Sequence, residues 1–245
     1  MLNDDTPVGR VLTRREVLAS LGAAVVLPRY LGGRTLLLPD GTRIPACVVR
    51  PAQTEGPYFL DVQLDRPDIR SDPPDGKVSS GTPLDLGFQV SRLTGNSCAP
   101  LAGVVVDVWQ CDALGVYSGV KDQGGLFDTT GRKFLRGHQV TDTQGKVRFT
   151  TVYPGWYPGR TVHIHFKLRT NPAGARGEEF TSQLYFDDAF SDQIFAQAPY
   201  AGRTGRRTRN SGDGIFRNGG SELMLDVSRQ GNGLTGTFEV ALRNS

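Results

Sequence analysis

The chain has 245 residues, and its 28 basic and 25 acidic side chains give a net charge of +3. This near balance excludes a nucleic-acid-binding protein that depends on bulk positive charge. The 31 glycines and 15 prolines make up about one residue in five, below the ~25–30% typical of disordered low-complexity chains. We therefore expect a folded protein rich in turns, with a small organic molecule rather than a polyanion as its partner.

The N-terminal 28 residues have the pattern of an export signal. Arg14 and Arg15 precede an apolar run from Val17 to Leu27, which is shorter than the about 20 residues needed to span a bilayer as a helix. Two adjacent arginines before a short apolar run are typical of a twin-arginine signal. We expect residues 1–28 to direct export to the periplasm or the medium, without a stable membrane span. The alternative is a short amphipathic or buried helix.

The cysteines carry less information. Cys47, Cys98 and Cys111 match no zinc-binding spacing. One disulfide with one free thiol is compatible with an oxidising compartment, but the spacing leaves the pairing open.

From about residue 84 the chain shows either the period-two alternation of apolar and polar residues or the continuous β-branched apolar runs, such as 104–109, that are typical of β-strands. Turn-forming sequences such as Asp142 to Gly145 and Asn232-Gly233 separate these stretches. This pattern predicts an all-β fold, a β-sandwich with long loops, over residues 81–245. The predicted strands are 84–90, 104–109, 146–152, 162–168, 182–186, 222–227 and 235–242.

Three other segments lack this alternation. Residues 29–80 are rich in proline, aspartate and glycine, and they predict an N-terminal arm rather than a second core. A short helix is predicted over residues 188–196. Residues 199–221 contain many arginines and glycines. We interpret them as a solvated surface loop, with an anion-binding segment as the alternative.

The strongest chemical signal is a pair of histidines on a predicted strand. Alternate residues of a strand share a face, so His163 and His165 point the same way while Ile164 points the other. Two imidazoles in this arrangement form half of a metal site, and the alternative is two polar residues on a solvated face. The chain has only three histidines, the third being His138, and this favours the metal.

The identity of that metal depends on the remaining ligands. A carboxylate from Asp107 or Asp142 would give the site of a 2-His-1-carboxylate Fe(II) oxygenase or a zinc hydrolase. Tyr117 and Tyr157, each in a glycine-containing turn, would instead suit Fe(III). A strongly Lewis-acidic ion is required to ionise a phenol, whose free pKa is about 10. Spacing alone leaves these alternatives open.

Five segments add a further pattern to these residues. They are Gln53 to Phe59, Leu101 to Gly119, Phe134 to Gly137, Thr151 to Phe166 and Thr181 to Phe186. Taken together and in this order, they resemble the intradiol ring-cleavage dioxygenases, the group of catechol and protocatechuate 3,4-dioxygenases. The resemblance covers about residues 47–243, and the twin-arginine start is similar to that of an exported branch of the family.

The resemblance implies an enzyme with non-haem Fe(III) that uses O2 to cleave a catechol-type ring between its two hydroxylated carbons. It implies that Tyr117, Tyr157, His163 and His165 bind the iron. It also implies that Tyr157 leaves the iron when the catecholic substrate binds, which gives this residue a catalytic role. The alternative is an exported β-sandwich module that binds aromatic compounds and has a structural or inactive metal site.

Two further catalytic residues follow from the resemblance. Arg160 matches the active-site arginine, a positive charge beside the substrate, and Gln183 matches the active-site glutamine, a hydrogen-bonding group. Gln53 to Tyr58 matches a segment that borders the substrate pocket in two-chain relatives. Trp156 replaces a smaller residue of many relatives, which predicts a narrower pocket. The particular catechol and a homo-oligomeric state both stay open.

Overall fold

The protein is described by a computed structural model. The described residues are 35–37, 43–45, 47–95, 97–122, 125, 127–170, 177–205 and 207–243. The predicted export signal, residues 1–28, lies outside them. Within these ranges no helix is long and apolar enough to cross a membrane.

Strands form most of the regular structure. They are β1 (Thr35–Leu37), β2 (Arg43–Pro45), β3 (Pro83–Thr94), β4 (Ser97–Pro100), β5 (Val105–Trp109), β6 (Arg136–Val140), β7 (Lys146–Val152), β8 (His163–Arg169), β9 (Glu179–Tyr185), β10 (Ser228–Gln230) and β11 (Gly233–Arg243). The helices are α1 (Asp188–Phe195) and α2 (Gly214–Arg217), with 3-10 turns at Tyr200–Gly202, Asn210–Gly212 and Gly220–Glu222.

Two sheets pack face to face, which confirms the predicted all-β sandwich. The first has the order β10-β11-β3-β4, with β7 also paired to β3. In it β3 runs parallel to β11 and antiparallel to β7 and β4. The second sheet has the order β6-β5-β8-β9, and all its neighbours are antiparallel. β1 and β2 form a separate pair.

The core lies between the two sheets and contains inward-facing residues of β3, β5, β7, β8, β9 and β11. In β3, Leu84, Leu86, Phe88 and Val90 are at most 1% exposed, in keeping with the period of two. The second sheet contributes Phe166 of β8, whose ring centroid lies 5.3 Å from that of Phe88. Burial of such apolar surface is the main stabilising contribution to the fold.

The outer face of the second sheet is covered by the N-terminal arm. Lys167 on β8 forms an ion pair with Glu55 of the arm, and Arg169 lies 3.3 Å from Asp61. An isolated bridge joins Asp65 of the arm to His138 on β6, and a second bridge joins Asp68 to Thr150 on β7 of the first sheet. The arm therefore keeps this polar face of the sheet out of solvent.

One predicted strand, 222–227, was wrong. Its alternation is real, since Leu223 and Leu225 are buried. The segment meets β9 only at that strand's last residue, where the backbone of Tyr185 bonds to Leu223 and Leu225 at 3.0 and 2.8 Å. Both side chains belong to the main core, and a Cβ at Gly236 of β11 would lie 3.2 Å from Cγ of Leu225. Alternation reports which side chains are buried, and here they are buried without pairing along a strand.

The interpretation of residues 199–221 as a solvated loop was also wrong in part. Arg207 pairs with Asp188 of α1 at 2.8 Å, and Arg209 pairs with Asp192 at 2.7 Å. Asp213 is only 1% exposed. The anionic partner of Arg207 and Arg209 is therefore helix α1 of the same chain.

The cysteine pairing that the spacing left open is resolved. Cys47 and Cys98 form a disulfide with their Cα atoms 6.0 Å apart. Cys111 is a free, buried thiol.

We predict that Phe166→Ala lowers the free energy of unfolding by about 3–5 kcal/mol, the usual cost of a large cavity in a packed core. Chemical denaturation monitored by circular dichroism measures this change. Val140→Ala on β6 is the control, because Val140 is 49% exposed and should change stability by less than about 0.5 kcal/mol. Equal losses in the two variants would contradict the role assigned to Phe166.

Candidate metal centre

Four donor atoms converge beside strand β8. The Nε2 atom of His163 lies 3.1 Å from Nε2 of His165, 3.2 Å from Oη of Tyr157 and 3.5 Å from Oη of Tyr117. Ligands held about 2.0–2.2 Å from one metal ion at angles of about 90–120° have neighbouring donors about 2.8–3.8 Å apart. The structure thus brings together all four side chains predicted to be ligands, at a spacing that fits one ion.

The two tyrosines come from two loops that pack backbone against backbone. Gly115 has a positive φ of 81°, and a Cβ there would lie 2.1 Å from the carbonyl oxygen of Trp156. A Cβ at Gly155 would lie 2.5 Å from the carbonyl oxygens of Asp112 and Ala113. Only glycine fits such close approaches. Part of the high glycine content therefore serves to bring these two loops together.

Two polar side chains fix the loop that carries Tyr117. The Oδ1 atom of Asp112 accepts hydrogen bonds from the backbone N–H groups of Leu114 and Val116, both at 2.9 Å. Arg136 is 1% exposed, and its Nε and Nη2 atoms donate to the carbonyl oxygen of Ser118 at 3.1 and 2.8 Å. Both ends of the loop are thereby held.

The environment keeps both imidazoles in the form that binds metals. Burial, with a contribution from the charge of Arg160, lowers the pKa of His163 to about 3, and burial holds the pKa of His165 well below its usual value. The Nδ1 atom of His163 must be protonated, because it donates to the carbonyl oxygen of Thr161 at 2.6 Å. Its Nε2 lone pair therefore faces the other donors.

The phenols are in the opposite situation. Burial raises the pKa of both Tyr117 and Tyr157 above the usual value, so neither ionises at neutral pH without a strong Lewis acid nearby. Two neutral imidazoles and two phenols that require such an ion fit ferric iron. Trp109 adds an apolar wall, since its ring stacks on that of His165 at a centroid distance of 5.0 Å.

A carboxylate does not complete the site. Among the described residues, no aspartate, glutamate or cysteine joins the two histidines in a group of three. Asp107 is held by Arg169 through two hydrogen bonds of 2.8 and 2.9 Å. Asp142 is exposed in the turn before β7. The alternatives of a 2-His-1-carboxylate oxygenase and a zinc hydrolase are therefore not supported.

Comparison with known proteins gives a consistent answer. A family profile described as "Dioxygenase" matches residues 54–211. The chain is 32% identical over 178 residues to the protocatechuate 3,4-dioxygenase beta chain of Burkholderia cepacia, covering 68% of each protein. It is 30% identical over 151 residues to a chlorocatechol 1,2-dioxygenase of Pseudomonas putida, covering 54% of this chain and 52% of that relative.

A solved structure agrees with the sequence relatives. The intradiol ring-cleavage dioxygenase from Tetranychus urticae superposes with a TM-score of 0.68 at 32% identity, covering 80% of this chain and 95% of that one. The chain belongs to the intradiol ring-cleavage dioxygenase family. It is thus a ring-cleaving oxidoreductase for catechol-type compounds.

In this dioxygenase Arg160 points at the donor atoms. Its Nη1 atom lies 3.5 Å from Nε2 of His163. Its Nε atom donates to Oδ2 of Asp213 at 2.9 Å, and its Nη2 atom donates to Oε1 of Gln183. The guanidinium is therefore fixed on two sides, and its remaining edge faces the site.

Gln183 is buried and fully engaged with protein partners. Its Oε1 atom accepts from the hydroxyl of Tyr185 at 3.0 Å as well as from Arg160, and its Nε2 atom donates to the carbonyl oxygen of Thr54 at 3.0 Å. Its hydrogen bonds orient Arg160 and hold the arm, and its catalytic role stays a prediction. The resemblance alone had implied only a hydrogen-bonding group.

The N-terminal arm forms one wall of the dioxygenase site. A Cβ at Gly56 would lie 3.3 Å from Cε1 of His165. The ring of Tyr58 lies 4.8 Å from that of Tyr117, and its hydroxyl donates to Asp122 at 2.9 Å.

Trp156 packs in the main core, beneath the guanidinium of Arg203 at 4.5 Å. A narrower pocket due to Trp156 stays a prediction.

Reasoning from the sequence missed two residues that hold the site. Arg136 lies in the segment Phe134 to Gly137, which carries part of the family resemblance. Its importance follows from its burial as a charged residue, and the sequence pattern does not reveal that burial. Asp213 lies in a stretch of glycine and arginine without periodicity, and nothing in the sequence links it to Arg160.

We predict that Gly56→Ala weakens iron retention about tenfold, because the new methyl group presses on the edge of His165. Gly76→Ala is the control. Gly76 has a similar positive φ, 69° against 75°, but open space around its Cβ position. Both variants should lose about 1–2 kcal/mol of stability from backbone strain. Iron content after dialysis against a chelator separates them, and equal retention would contradict the contact.

Proposed function

We propose that the protein is a non-haem Fe(III) dioxygenase that uses O2 to open the ring of a small catechol-type substrate between its two hydroxylated carbons. The observation that carries this proposal is the convergence of Tyr117, Tyr157, His163 and His165 around one position. Two oxygen and two nitrogen donors converge there, and ionisation of the two phenols gives the set two negative charges, which suits a trivalent ion. When bound, Fe(III) supplies the Lewis acidity that ionises the catechol and makes its ring reactive towards O2.

Tyr157 has the chemistry of a proton acceptor. Burial raises the pKa of its phenol, so its Oη atom binds a proton tightly whenever it is not a metal ligand. A catechol that binds as a dianion must release two protons, of which Oη of Tyr157 would take one and solvent the other. Tyr157 is also the more exposed of the two tyrosines, since Tyr117 is completely buried. This favours Tyr157 over Tyr117 as the residue that would take up the proton.

The other residues orient and enclose the substrate. Arg160 presents its Nη1 atom towards the donor cluster, where a fixed donor stabilises negative charge that builds up on the ring oxygens. Tyr58 and Trp109 present aromatic surface beside the ligands and exclude water. The charge of Arg160 is paired with Asp213. Arg160 therefore acts as an oriented donor, and the site suits a compact aromatic diol.

The test combines oxygen uptake with the visible spectrum. We expect the iron-loaded protein to be coloured, because tyrosinate bound to Fe(III) absorbs visible light by charge transfer. We expect it to consume one O2 per ring opened with at least one of catechol, protocatechuate, chlorocatechol and hydroxyquinol. Tyr157→Phe should shift the absorption and lower the turnover rate at least 100-fold, because both a ligand and a proton acceptor are lost.

Tyr153→Phe is the matched control. Tyr153 is buried and its hydroxyl bonds to Ser191 at 2.7 Å, so the same substitution removes a hydroxyl away from the donors. It should retain colour and turnover. A colourless protein with a full complement of iron would exclude ligation by both tyrosines. A coloured protein that consumes no oxygen with any ortho-diphenol would favour the aromatic-binding module.

We also propose that the protein is exported through a twin-arginine signal. The disulfide between Cys47 and Cys98 supports this proposal, because structural disulfides persist in oxidising compartments and are rare in the cytosol. Twin-arginine signals belong to proteins that cross the membrane folded, as suits a chain that must enclose a metal first.

Replacing Arg14 and Arg15 together by lysine should retain the protein in the cytoplasm, because the signal requires the arginine pair rather than its charge. Cell fractionation with antibody detection measures the distribution. Arg10→Lys is the control, since it makes the same change outside the pair. Unchanged export of the double variant would overturn the proposal.

A further inference from the structure

Asp213 lies where the segment 199–221 meets the start of the ligand strand. Its carboxylate is 1% exposed and both of its oxygens are occupied. Oδ2 accepts from Nε of Arg160 at 2.9 Å and from the backbone N–H of Thr161 at 2.8 Å. Oδ1 accepts from the N–H groups of Ile215 and Phe216, at 2.7 and 3.2 Å, at the start of α2.

The four N–H donors fix the orientation of the buried Asp213 carboxylate. Its pKa is held below the usual value by Arg160 and these donors despite burial, so it stays ionised at neutral pH. Charge-assisted hydrogen bonds are shorter and stronger than neutral ones. A planar guanidinium bonded through Nε and Nη2 to two fixed acceptors cannot rotate freely.

The other acceptor of Arg160 is tied to the same helix. The Nε2 atom of Gln53 donates to the carbonyl oxygens of Ile215 and Asn218, both at 3.0 Å. The hydroxyl of Tyr185 donates its one proton between two amide oxygens, Oε1 of Gln53 at 2.7 Å and Oε1 of Gln183 at 3.0 Å. Both acceptors of Arg160 are therefore connected to α2 by hydrogen bonds. Asp213 bonds to α2 directly, and Gln183 is linked to it through Tyr185 and Gln53.

We infer that Asp213 is a positioning residue of the dioxygenase, which holds the guanidinium of Arg160 in the orientation that serves ring cleavage. This inference rests on the proposed function. Asp213 lies beyond the segment matched by the family profile, residues 54–211. The hydrogen bonds of its carboxylate go to Arg160, Thr161 and α2, and none of them goes to the four donor side chains. Arg160 is the partner whose side chain faces the donors, and the iron content reports separately on the path through Thr161 to His163.

The test compares Asp213→Asn with Asp188→Asn. Asparagine is a favoured helix N-cap and keeps an acceptor for α2, but it removes the charge that faces Arg160. Asp188 anchors the same segment through Arg207 and the N–H of Asn210, at 2.8 and 3.0 Å. Both variants thus make the same chemical change and loosen the same segment, and only Asp213→Asn frees Arg160.

We expect Asp213→Asn to lower kcat at least tenfold, with the iron content and the charge-transfer absorption unchanged. Asp188→Asn should stay within about threefold of wild type. In an Arg160→Gln background, Asp213→Asn should change kcat by less than twofold, since its partner is absent. An equal loss in Asp188→Asn, or an undiminished loss in the Arg160→Gln background, would overturn the inference.

Two further experiments cover a variant that does not fold and a protein that shows no ring cleavage. If Asp213→Asn does not fold, Arg160→Lys is used instead, because it keeps the charge but loses the fork that bonds to two acceptors. A wild-type kcat in Arg160→Lys would also overturn the inference. If the wild-type protein opens no ortho-diphenol, the proposed function fails. The inference is then tested with a nitro-substituted catechol, whose dissociation constant should rise at least threefold in Asp213→Asn but not in Asp188→Asn.

Discussion

The alternation of side chains along strand β8 determines both the packing of the core and the position of the two histidines. Ile164, Phe166 and Leu168 face inward and fill the space between the sheets, while His163 and His165 face outward. A shift of one residue in its pairing with β5 would exchange the two sets. The core residues and the metal-binding residues therefore depend on the same register, and the packing of Phe166 fixes the direction of both imidazoles.

The rest of the site is built around this strand by contacts that are remote in sequence. Two glycines allow the loops that carry Tyr117 and Tyr157 to touch through their backbones. The guanidinium of Arg160 is then fixed by a glutamine on the neighbouring strand and by an aspartate some fifty residues downstream. Each partner comes from a different part of the chain, so the geometry of the donors depends on the fold as a whole.

The predictable part of this protein is the part encoded by local pattern. Alternation located β3, β7, β8, β9 and β11, and a continuous run of β-branched apolar residues located β5. His-x-His on β8 was visible because the spacing of two has a direct geometric meaning. Strand β6, with Arg136, Gly137 and His138, has no alternation and was missed. Asp213 had no local signal, because a single carboxylate becomes an anchor only when a distant arginine meets it. The two tyrosines were ligand candidates by chemistry, but their selection required the family resemblance.

The N-terminal arm builds one wall of the site during the folding of the chain itself. Glu55, Gly56 and Tyr58 approach the donor cluster from the same chain that supplies the donors, and Lys167 of β8 pairs with Glu55. These contacts form when the chain folds back on itself, so this wall of the site arises in a unimolecular step. Its completeness therefore depends on the stability of one polypeptide and not on the concentration of a separate subunit that would otherwise supply the wall.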